Sequence, residues 1–568
     1  MPNRQLRLVP APPDDVVGAL AALRAETGLP PMFPEDVLAE ARAAAERTFT
    51  PAPGGGDAPD AVARQDRRDI EFVTIDPPGA MDLDQAVHVA HSGDGYIVRY
   101  AIADLGAFVT PGGALDAEVH RRGLTVYGPD TKTPLHPKEL SEGAASLLPG
   151  VDRPAALWTI GLDARGEITS ATVVRALVSS RERLTYAEAQ AALDDGTASE
   201  SLQLLADVGR LRQEIERGRG GVHLDVPEQE VVETEDGTYQ LTFRRNLPVE
   251  EWNAQISLLT GMAAAKMMRD AGVGVLRTLP EADDRDVARL RRTAKALGIE
   301  WPYSLPYAGL LPGLQSRVPQ HAAFLNEATT LFRGAAYVAF GHEAEDGTGT
   351  VPVPADTLHH ALATDYAHVT APLRRLVDRY TTEICLALAA SEPVPGWALD
   401  ALGALPGEMA AAGRRASGFE RAVLEIVEAT LLAGRVGEVF DGVVVDVEDD
   451  GDRGTVVVGE QAVRATVTGR GLPLGAAVRV RLTVADVVGR KVEFALADAS
   501  VPARDAGDAA AGRDETAGGV ADTARDGATG EATASGGDAA AGDAAGGAQT
   551  AAGREAPAAE GAPLSPAG

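Results

Sequence analysis

The sequence predicts an α+β protein with a large mixed domain, then a small β-barrel, then a disordered tail. Within residues 67–433, helix-like and strand-like hydrophobic patterns alternate, and no low-complexity segment interrupts them. Residues 434–498 instead carry short β-branched runs separated by Gly and Asp turns. Residues 499–568 nearly lack large apolar side chains, so they cannot offset the entropy that is lost on ordering.

Residues 1–66 are predicted to form a helical lead-in and a linker, because two apolar-periodic runs precede the segment PAPGGGDAPD. In the large domain the strand-like runs are EFVTI, AVHVA, YIVRYAIA, ALWTIGL and TSATVVRALV. The helix-like runs are ESLQLLADVGRLRQEIERG, VEEWNAQISLLTGMAAAKMMRDA, DVARLRRTAKALG and LVDRYTTEICLALAA. Five strand-like runs after Gly434 indicate a small barrel of the OB or S1 type.

Composition limits the cellular setting and the metals. The single cysteine, Cys385, excludes an internal disulfide and a Cys-based zinc cluster. No segment approaches the roughly 20 apolar residues of a membrane-spanning helix, and the N-terminus turns acidic before a signal-peptide core could form. We therefore expect a cytoplasmic protein with no membrane partner.

The net charge of −31 argues against a nucleic-acid partner, because such binders usually present a basic surface. Part of this charge lies in the tail, where residues 501–568 contain eleven acidic residues and four arginines. Binding depends on the local field in a groove, and a site for divalent cations itself needs clustered carboxylates. The charge therefore weakens the expectation of non-specific RNA binding and leaves a local RNA site open.

The segment FVTIDPPGAMDLDQAVHV brings three carboxylates together. A strand leads to Asp76, a Pro-Pro-Gly turn reverses the chain, and Asp82 and Asp84 share a face of the next extended segment. Converging carboxylates repel one another unless a cation neutralises them. Oxygen ligands without His or Cys favour Mg²⁺ or Mn²⁺, ions that act on the oxygens of phosphoryl groups.

Other interpretations of these aspartates remain open. They can be turn and strand-edge residues of an acidic protein. An EF-hand loop would need a glycine at its sixth position, and Ala86-Val87 do not continue its ligand pattern. A phosphatase with an Asp nucleophile would place a long apolar strand directly before the first Asp of D-x-D, where this chain has Pro-Pro-Gly-Ala-Met.

Beyond this motif the chain resembles the RNB family of ribonuclease II and ribonuclease R. TIDPPGAMDLDQA is similar to the family signature. The blocks that follow in family order are YAIADLGAFVTPGGALDAEVHRRGLTVYGPDTKTPLHPKELSEG, RERLTYAEAQ, GVLRTLPEAD and DYAHVTAPLRRLVDRY. The resemblance covers roughly residues 67 to 430, and it implies an RNB-type catalytic domain followed by an S1-like barrel.

The resemblance also implies roles for individual residues. Asp76, Asp82 and Asp84 would hold magnesium, with Asp82 and Asp84 also acting in catalysis. Arg374 would bind the scissile phosphate and stabilise its charge, because guanidinium offers a rigid fork of donors. The remaining RNA contacts would come from two aromatic side chains and two charged ones: Tyr127, Tyr186, Arg375 and Glu420.

Three departures from the family pattern bear on this. The signature usually ends D-x-D-D, whereas Gln85 follows Asp84 here, so one metal-binding carboxylate is replaced by an amide. Ala254-Gln255 stands where the family often has an acidic pair, and Glu251 and Asn253 are candidate replacements. No aromatic-rich cold-shock barrel precedes residue 67.

The resulting hypothesis is a 3′→5′ exoribonuclease that depends on Mg²⁺, with Mn²⁺ as the alternative ion, acts as a monomer and hydrolyses single-stranded RNA to 5′-mononucleotides. One alternative is an RNB-fold RNA-binding or regulatory protein that has lost catalysis, as Gln85 suggests. Another is an acidic scaffold that acts through its tail.

Overall fold

The computed structural model describes residues 8–9, 14–30, 32–51 and 63–497, the last range with short gaps at 223, 225–227, 234–238, 245, 316–317, 345, 449–450 and 459–462. The predicted disordered tail, residues 499–568, lies outside the described residues. In the described part of the chain, no helix has both the length and the apolar character needed to cross a bilayer.

The strands before the barrel are β1 (Leu8–Val9), β2 (Gln65–Asp66), β3 (Phe72–Asp76), β4 (Gln85–Ser92), β5 (Gly95–Ala103), β6 (Val126–Tyr127), β7 (Lys132–Thr133), β8 (Asp152–Leu162), β9 (Ile168–Thr185), β10 (Glu228–Glu233), β11 (Tyr239–Arg244), β12 (Gly274–Thr278), β13 (Ala336–Phe340), β14 (Leu358–His359) and β15 (Thr364–Asp365). The helices are α1 (Asp14–Glu26), α2 (Glu35–Ala45), α3 (Ala114–Arg122), α4 (Tyr186–Asp194), α5 (Glu200–Gly218), α6 (Pro248–Ala271), α7 (Asp284–Ala296), α8 (Tyr307–Leu310), α9 (Pro319–Ala328), α10 (Leu376–Ala390), α11 (Gly396–Ala401) and α12 (Leu405–Leu432).

A six-stranded sheet in the order β2-β9-β3-β4-β5-β8 forms the centre of the large domain. The 18-residue strand β9 pairs with β8 along its first part and with β3 along its last residues, so the sheet bends back on itself. Its core contains Trp158, Tyr100 and Phe72, all fully buried. Helix α5 packs on β4, and α10 packs on β9. The apolar faces of sheet and helices therefore meet in one continuous core.

The close approach of α6 to the segment before α10 requires a glycine. A Cβ atom on Gly261 would lie 2.2 Å from the Tyr366 ring and 2.5 Å from the Ala367 carbonyl oxygen. Only the smallest residue lets this helix lie so near residues 366–367, which lead into the segment that later carries Arg374.

After α12 the chain forms the predicted barrel. Its strands are β16 (Val439–Val447), β17 (Arg453–Val458), β18 (Val463–Thr468), β19 (Ala477–Asp486) and β20 (Lys491–Leu496). They close in the order β16-β17-β18-β20-β19, with β18 and β20 parallel. Alternate side chains point inward around Phe494, which is fully buried. The predicted α+β domain followed by a small five-stranded barrel is confirmed.

Candidate functional site

The three aspartates lie where β3 ends and β4 begins. Asp76 is the last residue of β3 and pairs with Thr185 at the end of β9. The Pro-Pro-Gly turn closes through a bond from the Ala80 amide to the Pro77 carbonyl, and Gly79 adopts a φ of 77° that other residues rarely accept. The sequence thus returns to the same edge of the sheet, and Asp82 and Asp84 precede β4.

Two of these carboxyl groups have pKa values well above that of an ordinary aspartate. Burial raises the pKa of Asp76 to about 7 and the pKa of Asp84 to about 8. Arg374 lowers both pKa values, and the negative charge of Asp82 raises both. The charge of Asp82 therefore disfavours the ionised forms of Asp76 and Asp84, and a nearby positive charge would stabilise those forms.

Asp84 is fixed between the sheet and the segment before α10. It is 4% exposed, and its Oδ1 accepts a hydrogen bond of 2.7 Å from the Leu373 amide. Its Oδ2 lies 3.5 Å from Nε of Arg374, whose side chain is 34% exposed. The structure therefore brings Arg374 beside the carboxylates while part of its side chain stays accessible to solvent.

The segment Thr370–Arg375 is held from several sides. The Gln85 amide nitrogen donates to the Thr370 carbonyl oxygen, and the Thr370 hydroxyl lies 2.7 Å from that of Ser257 on α6. The Arg374 carbonyl oxygen accepts a bond from the Thr125 amide. Gln85 thus serves as a tether for the backbone that positions Arg374.

Arg375 faces a different partner. Its guanidinium donates two hydrogen bonds of 2.8 Å to Asp378, and Asp378 also accepts a bond from the Ala371 amide. Asp378 is fully buried. The visible role of Arg375 is to secure the start of α10, and its predicted RNA contact stays a prediction.

A small hairpin delivers two groups to Asp82. Tyr127 on β6 and Lys132 on β7 are direct cross-strand partners, so their side chains share a face. The Tyr127 hydroxyl donates to Asp82 Oδ2 over 3.4 Å, and the Lys132 ammonium lies 2.9 Å from Asp82 Oδ1. Burial lowers the pKa of Lys132, but the attraction of Asp82 and Glu142 outweighs it, and the net pKa is raised. Lys132 therefore stays charged.

Two more tyrosines adjoin the aspartates. Tyr186 begins α4 directly after Thr185, and burial, with a contribution from Asp76, raises its pKa to about 12. Tyr100 is fully buried, and within the described residues its hydroxyl has no hydrogen-bond partner. Burial raises the pKa of Tyr100, and the charges of Asp76 and Asp84 act in the same direction. Both phenol groups thus lie near enough to the carboxylates to be affected by their charge.

The two candidate replacements on α6 separate. Asn253 hydrogen-bonds Tyr186 and so reaches the edge of the site. Glu251 instead accepts a bond of 2.8 Å from Gln213 on α5. Gln255 is buried and donates to Glu216 on α5. Of these side chains, Asn253 is the one that the structure brings next to a predicted site residue.

Glu420 lies on α12, next to Phe419, which packs in a cluster with α1 and Val126. Its predicted contact with RNA stays a prediction.

Sequence reasoning did not single out Lys132, Glu142 or Tyr100. The sequence carries no clear signal for Lys132, because its pairing with Tyr127 depends on two strands of only two residues each. Nothing in the sequence marks Glu142 either, since its position follows from a π-helical turn at Leu140–Ala144. Tyr100 reads as an ordinary strand residue.

The donor chemistry fits a hard divalent cation. Asp76 Oδ2 is buried and has no hydrogen-bond partner among the described residues, so one carboxylate oxygen is open to a ligand. Asp82 is engaged by Lys132 and Tyr127, and Asp84 by Leu373 and Arg374. Within the described ranges, no three His, Cys, Asp or Glu side chains are spaced to hold a metal as they stand. The cluster offers an open ligand but no complete ligand set.

Comparison with known proteins agrees with this architecture. The RNB domain family matches residues 64–389, and the RNase II-type exonuclease C-terminal S1 domain matches residues 438–497. Ribonuclease R of Thermotoga maritima is 28% identical over 363 residues, which are 61% of this chain and 48% of that protein. Exosome complex exonuclease RRP44 homolog A of Arabidopsis thaliana is 30% identical over 344 residues, 57% of this chain and 35% of that protein. The chain spans about half the length of such curated relatives or less.

Solved structures share the fold. Mycoplasma genitalium RNase R in complex with ribose methylated single-stranded RNA superposes with a TM-score of 0.72 at 18% identity, covering 85% of this chain and 78% of that one. Yeast Ssd1, described as a pseudonuclease, superposes with a TM-score of 0.56 at 16% identity, covering 76% and 53%. Because the RNB match spans more than half of the residues, the chain belongs to the RNB family, with an RNase II-type S1 domain after the RNB domain.

Proposed function

We propose that this chain is a divalent-metal-dependent exoribonuclease that hydrolyses single-stranded RNA from the 3′ end to 5′-mononucleotides, with Mg²⁺ as its ion and Mn²⁺ as a substitute. The observation that carries the proposal is that the charge of Asp82 acts on both Asp76 and Asp84, while Arg374 lies beside Asp84. Support comes from relatives named ribonuclease R, and RNB nucleases generally depend on divalent metals. We further propose that it works as a monomer in the cytoplasm.

In this proposal the chain's own residues divide the work. Asp76, Asp82 and Asp84 would hold the ion, which when bound polarises the phosphoryl group and activates water. Arg374 donates to the scissile phosphate and stabilises its developing charge. Asp84 presents Oδ2 toward Arg374 and would so orient the guanidinium for its contact with the phosphate. Tyr127 and Tyr186 stack on bases without sequence preference. Arg375 and Glu420 would contact the strand farther from the reacting bond.

The test is nucleotide release from 3′-labelled and 5′-labelled poly(A) in Mg²⁺ or Mn²⁺. We expect the wild-type chain to release mononucleotides and Asp84→Asn to lose activity by about a thousandfold or more. Asp207→Asn is the matched control, because Asp207 is exposed on α5 and pairs only with Arg210 in the contacts described. Equal activity of wild type and Asp84→Asn, or internal cleavage of the RNA, contradicts the proposal.

A second candidate is an RNB-fold protein that binds RNA without cleaving it. It is favoured by Gln85, which turns its amide to the Thr370 carbonyl, and by the incomplete ligand set among the described residues. The same assay separates the two candidates, because this one predicts that poly(A) is retained by the protein and no nucleotide is released in either metal.

A further inference from the structure

A side-chain ammonium stands inside the carboxylate cluster. Nζ of Lys132 lies 2.9 Å from Asp82 Oδ1 and 2.9 Å from Glu142 Oε1. The side chains of Lys132, Asp82 and Glu142 are 22%, 15% and 22% exposed, so water screens this group of charges less than it screens surface pairs. The ammonium pairs with Asp82 Oδ1, an oxygen that a metal ion could otherwise bind.

The backbone places this ammonium. Lys132 is the cross-strand partner of Tyr127, and both side chains reach Asp82. The turn that joins them is anchored from outside, since Asp130 accepts two hydrogen bonds from Arg24 on α1. Glu142 comes from the π-helical turn on the other side. Two independent elements therefore fix the lysine at Asp82.

Lys132 is the cation that contacts Asp82 directly, and it bridges Asp82 to Glu142. The other cations lie elsewhere around the cluster: Arg374 is beside Asp84, and the charges of Arg374 and Arg183 both act on Asp76. A positive side chain thus already stands at the Asp82 side of the cluster, where a second metal ion would need an open carboxylate oxygen.

We propose that Lys132 is a resident cation that takes the place of a second metal ion, so that this site takes up a single divalent ion. The inference deepens the proposed function and rests on it. In sites with two metals, the second ion neutralises charge beside the reacting oxygens. Here Lys132 acts as a positioning residue: it holds Asp82 through one oxygen and supplies a fixed positive charge at that side of the cluster.

The first test counts Mn²⁺ ions bound to the full chain in the absence of RNA, by isothermal titration and by electron paramagnetic resonance of free Mn²⁺. We expect one ion per wild-type chain. Lys132→Met should bind a second ion or hold Mn²⁺ at least about tenfold more tightly, because a repelling charge is gone. Lys132→Arg should behave as wild type. Lys266→Met removes an exposed lysine that pairs with Asp270, and it should change nothing.

The second test follows poly(A) hydrolysis as a function of Mg²⁺ concentration. Lys132→Met should lose at least about tenfold in activity at limiting Mg²⁺ and recover part of it at high Mg²⁺, whereas Lys132→Arg should not need the extra metal. A purely structural lysine would lower the unfolding temperature without shifting the metal dependence.

Several results would overturn the inference. Two Mn²⁺ ions on the wild-type chain would do so without any variant, which covers the case in which Lys132→Met does not fold. A folded Lys132→Met with wild-type Mn²⁺ stoichiometry and affinity would also do so. If the wild-type chain hydrolyses RNA and either result is found, the proposed function stands and only the role of Lys132 falls. Since Mn²⁺ binding is counted without RNA, a chain without nuclease activity still tests the lysine.

Discussion

Asp76 and Asp84 are the residues in which burial and charge oppose each other most clearly. Ordinary aspartates have a pKa of 3.8, whereas burial raises these two to about 7 and about 8 even though Arg374 pulls both down. A protein gains nothing in stability from burying such groups near one another. Their placement is therefore better explained by a ligand that brings positive charge.

These pKa values predict how stability and metal binding depend on pH. Without metal, the folded chain retains protons that the unfolded chain has released, so the free energy of unfolding falls as the pH rises from about 4 to about 8. A divalent ion favours the charged carboxylates. The rise in unfolding temperature on adding Mg²⁺ should therefore be larger near pH 8.5 than near pH 6. The reason is that about one or two protons compete with the ion for the carboxylates at the lower pH.

Thermal unfolding in EDTA and in excess Mg²⁺ at a series of pH values checks this prediction. Asp84→Asn serves as the comparison, because it removes one of the two titrating groups and should flatten the pH dependence measured in EDTA. A Mg²⁺-induced shift that is the same at every pH would contradict the assignment of these two groups to the metal site.

At the same scale, the sequence identified the aspartates by spacing, and the resemblance added Arg374. The turn after Asp76 and the two-residue spacing of Asp82 and Asp84 are local features, so strand and turn geometry is enough to predict them. Lys132 was missed because its partner Asp82 lies in another element and no local pattern joins them. The RNA contact of Arg375, which the resemblance implies, stays a prediction, and in the structure Asp378 binds its guanidinium.

At the scale of elements, an ion group ties the barrel to the large domain. Glu327 on α9 is 1% exposed and is held by Arg289 of α7 at 3.1 Å. Its other oxygen accepts a hydrogen bond from Arg464 on β18. Val445 of β16 packs into the same apolar cluster as Leu290 of α7. The contact is thus part apolar and part ionic.

Glu327→Gln should loosen this contact. The change leaves two guanidinium groups without their carboxylate, and because both reach the solvent we expect a loss of about 2 kcal/mol, less than for a fully enclosed pair. Unfolding in urea and limited proteolysis between α12 and β16 would measure it. Glu35→Gln is the matched control, since Glu35 and its partner Arg42 are both exposed. Unchanged stability and unchanged proteolysis in Glu327→Gln would show that the apolar contact alone holds the barrel.

The elements differ in how far the sequence revealed them. The predicted helices ESLQLLADVGRLRQEIERG and LVDRYTTEICLALAA match the bounds of α5 and α10, because both have an unbroken apolar stripe. The 28-residue α12 was not predicted, since Pro406, Gly413 and Gly418 dilute the helical signal. β6 and β7 have two residues each, which is too few for a periodic sequence pattern, so only their pairing in the structure identifies them as strands.

At the scale of the whole molecule, only part of the acidic charge lies outside the part of the chain that carries the site. Every residue assigned to the candidate site lies between Asp76 and Glu420, within the compact unit Met1–Ala503. Residues 504–568 contribute eleven acidic residues and four arginines, a net charge of −7. The larger part of the charge lies in the same part of the chain as the site, but a whole-chain value of −31 governs solubility and long-range steering and does not give the local field at Arg374.

A chain that ends at Ala503 should therefore hydrolyse poly(A) as the full chain does, with an unchanged unfolding temperature. Removing a net charge of −7 lessens the long-range repulsion of RNA, so association at low salt should become faster, by less than about tenfold, and the difference should vanish at high salt. Stopped-flow binding of fluorescent poly(A) at several salt concentrations, together with the hydrolysis assay, tests both statements. Loss of hydrolysis on truncation would favour the acidic-scaffold alternative, because the carboxylates, Arg374 and the barrel are all retained in the shorter chain.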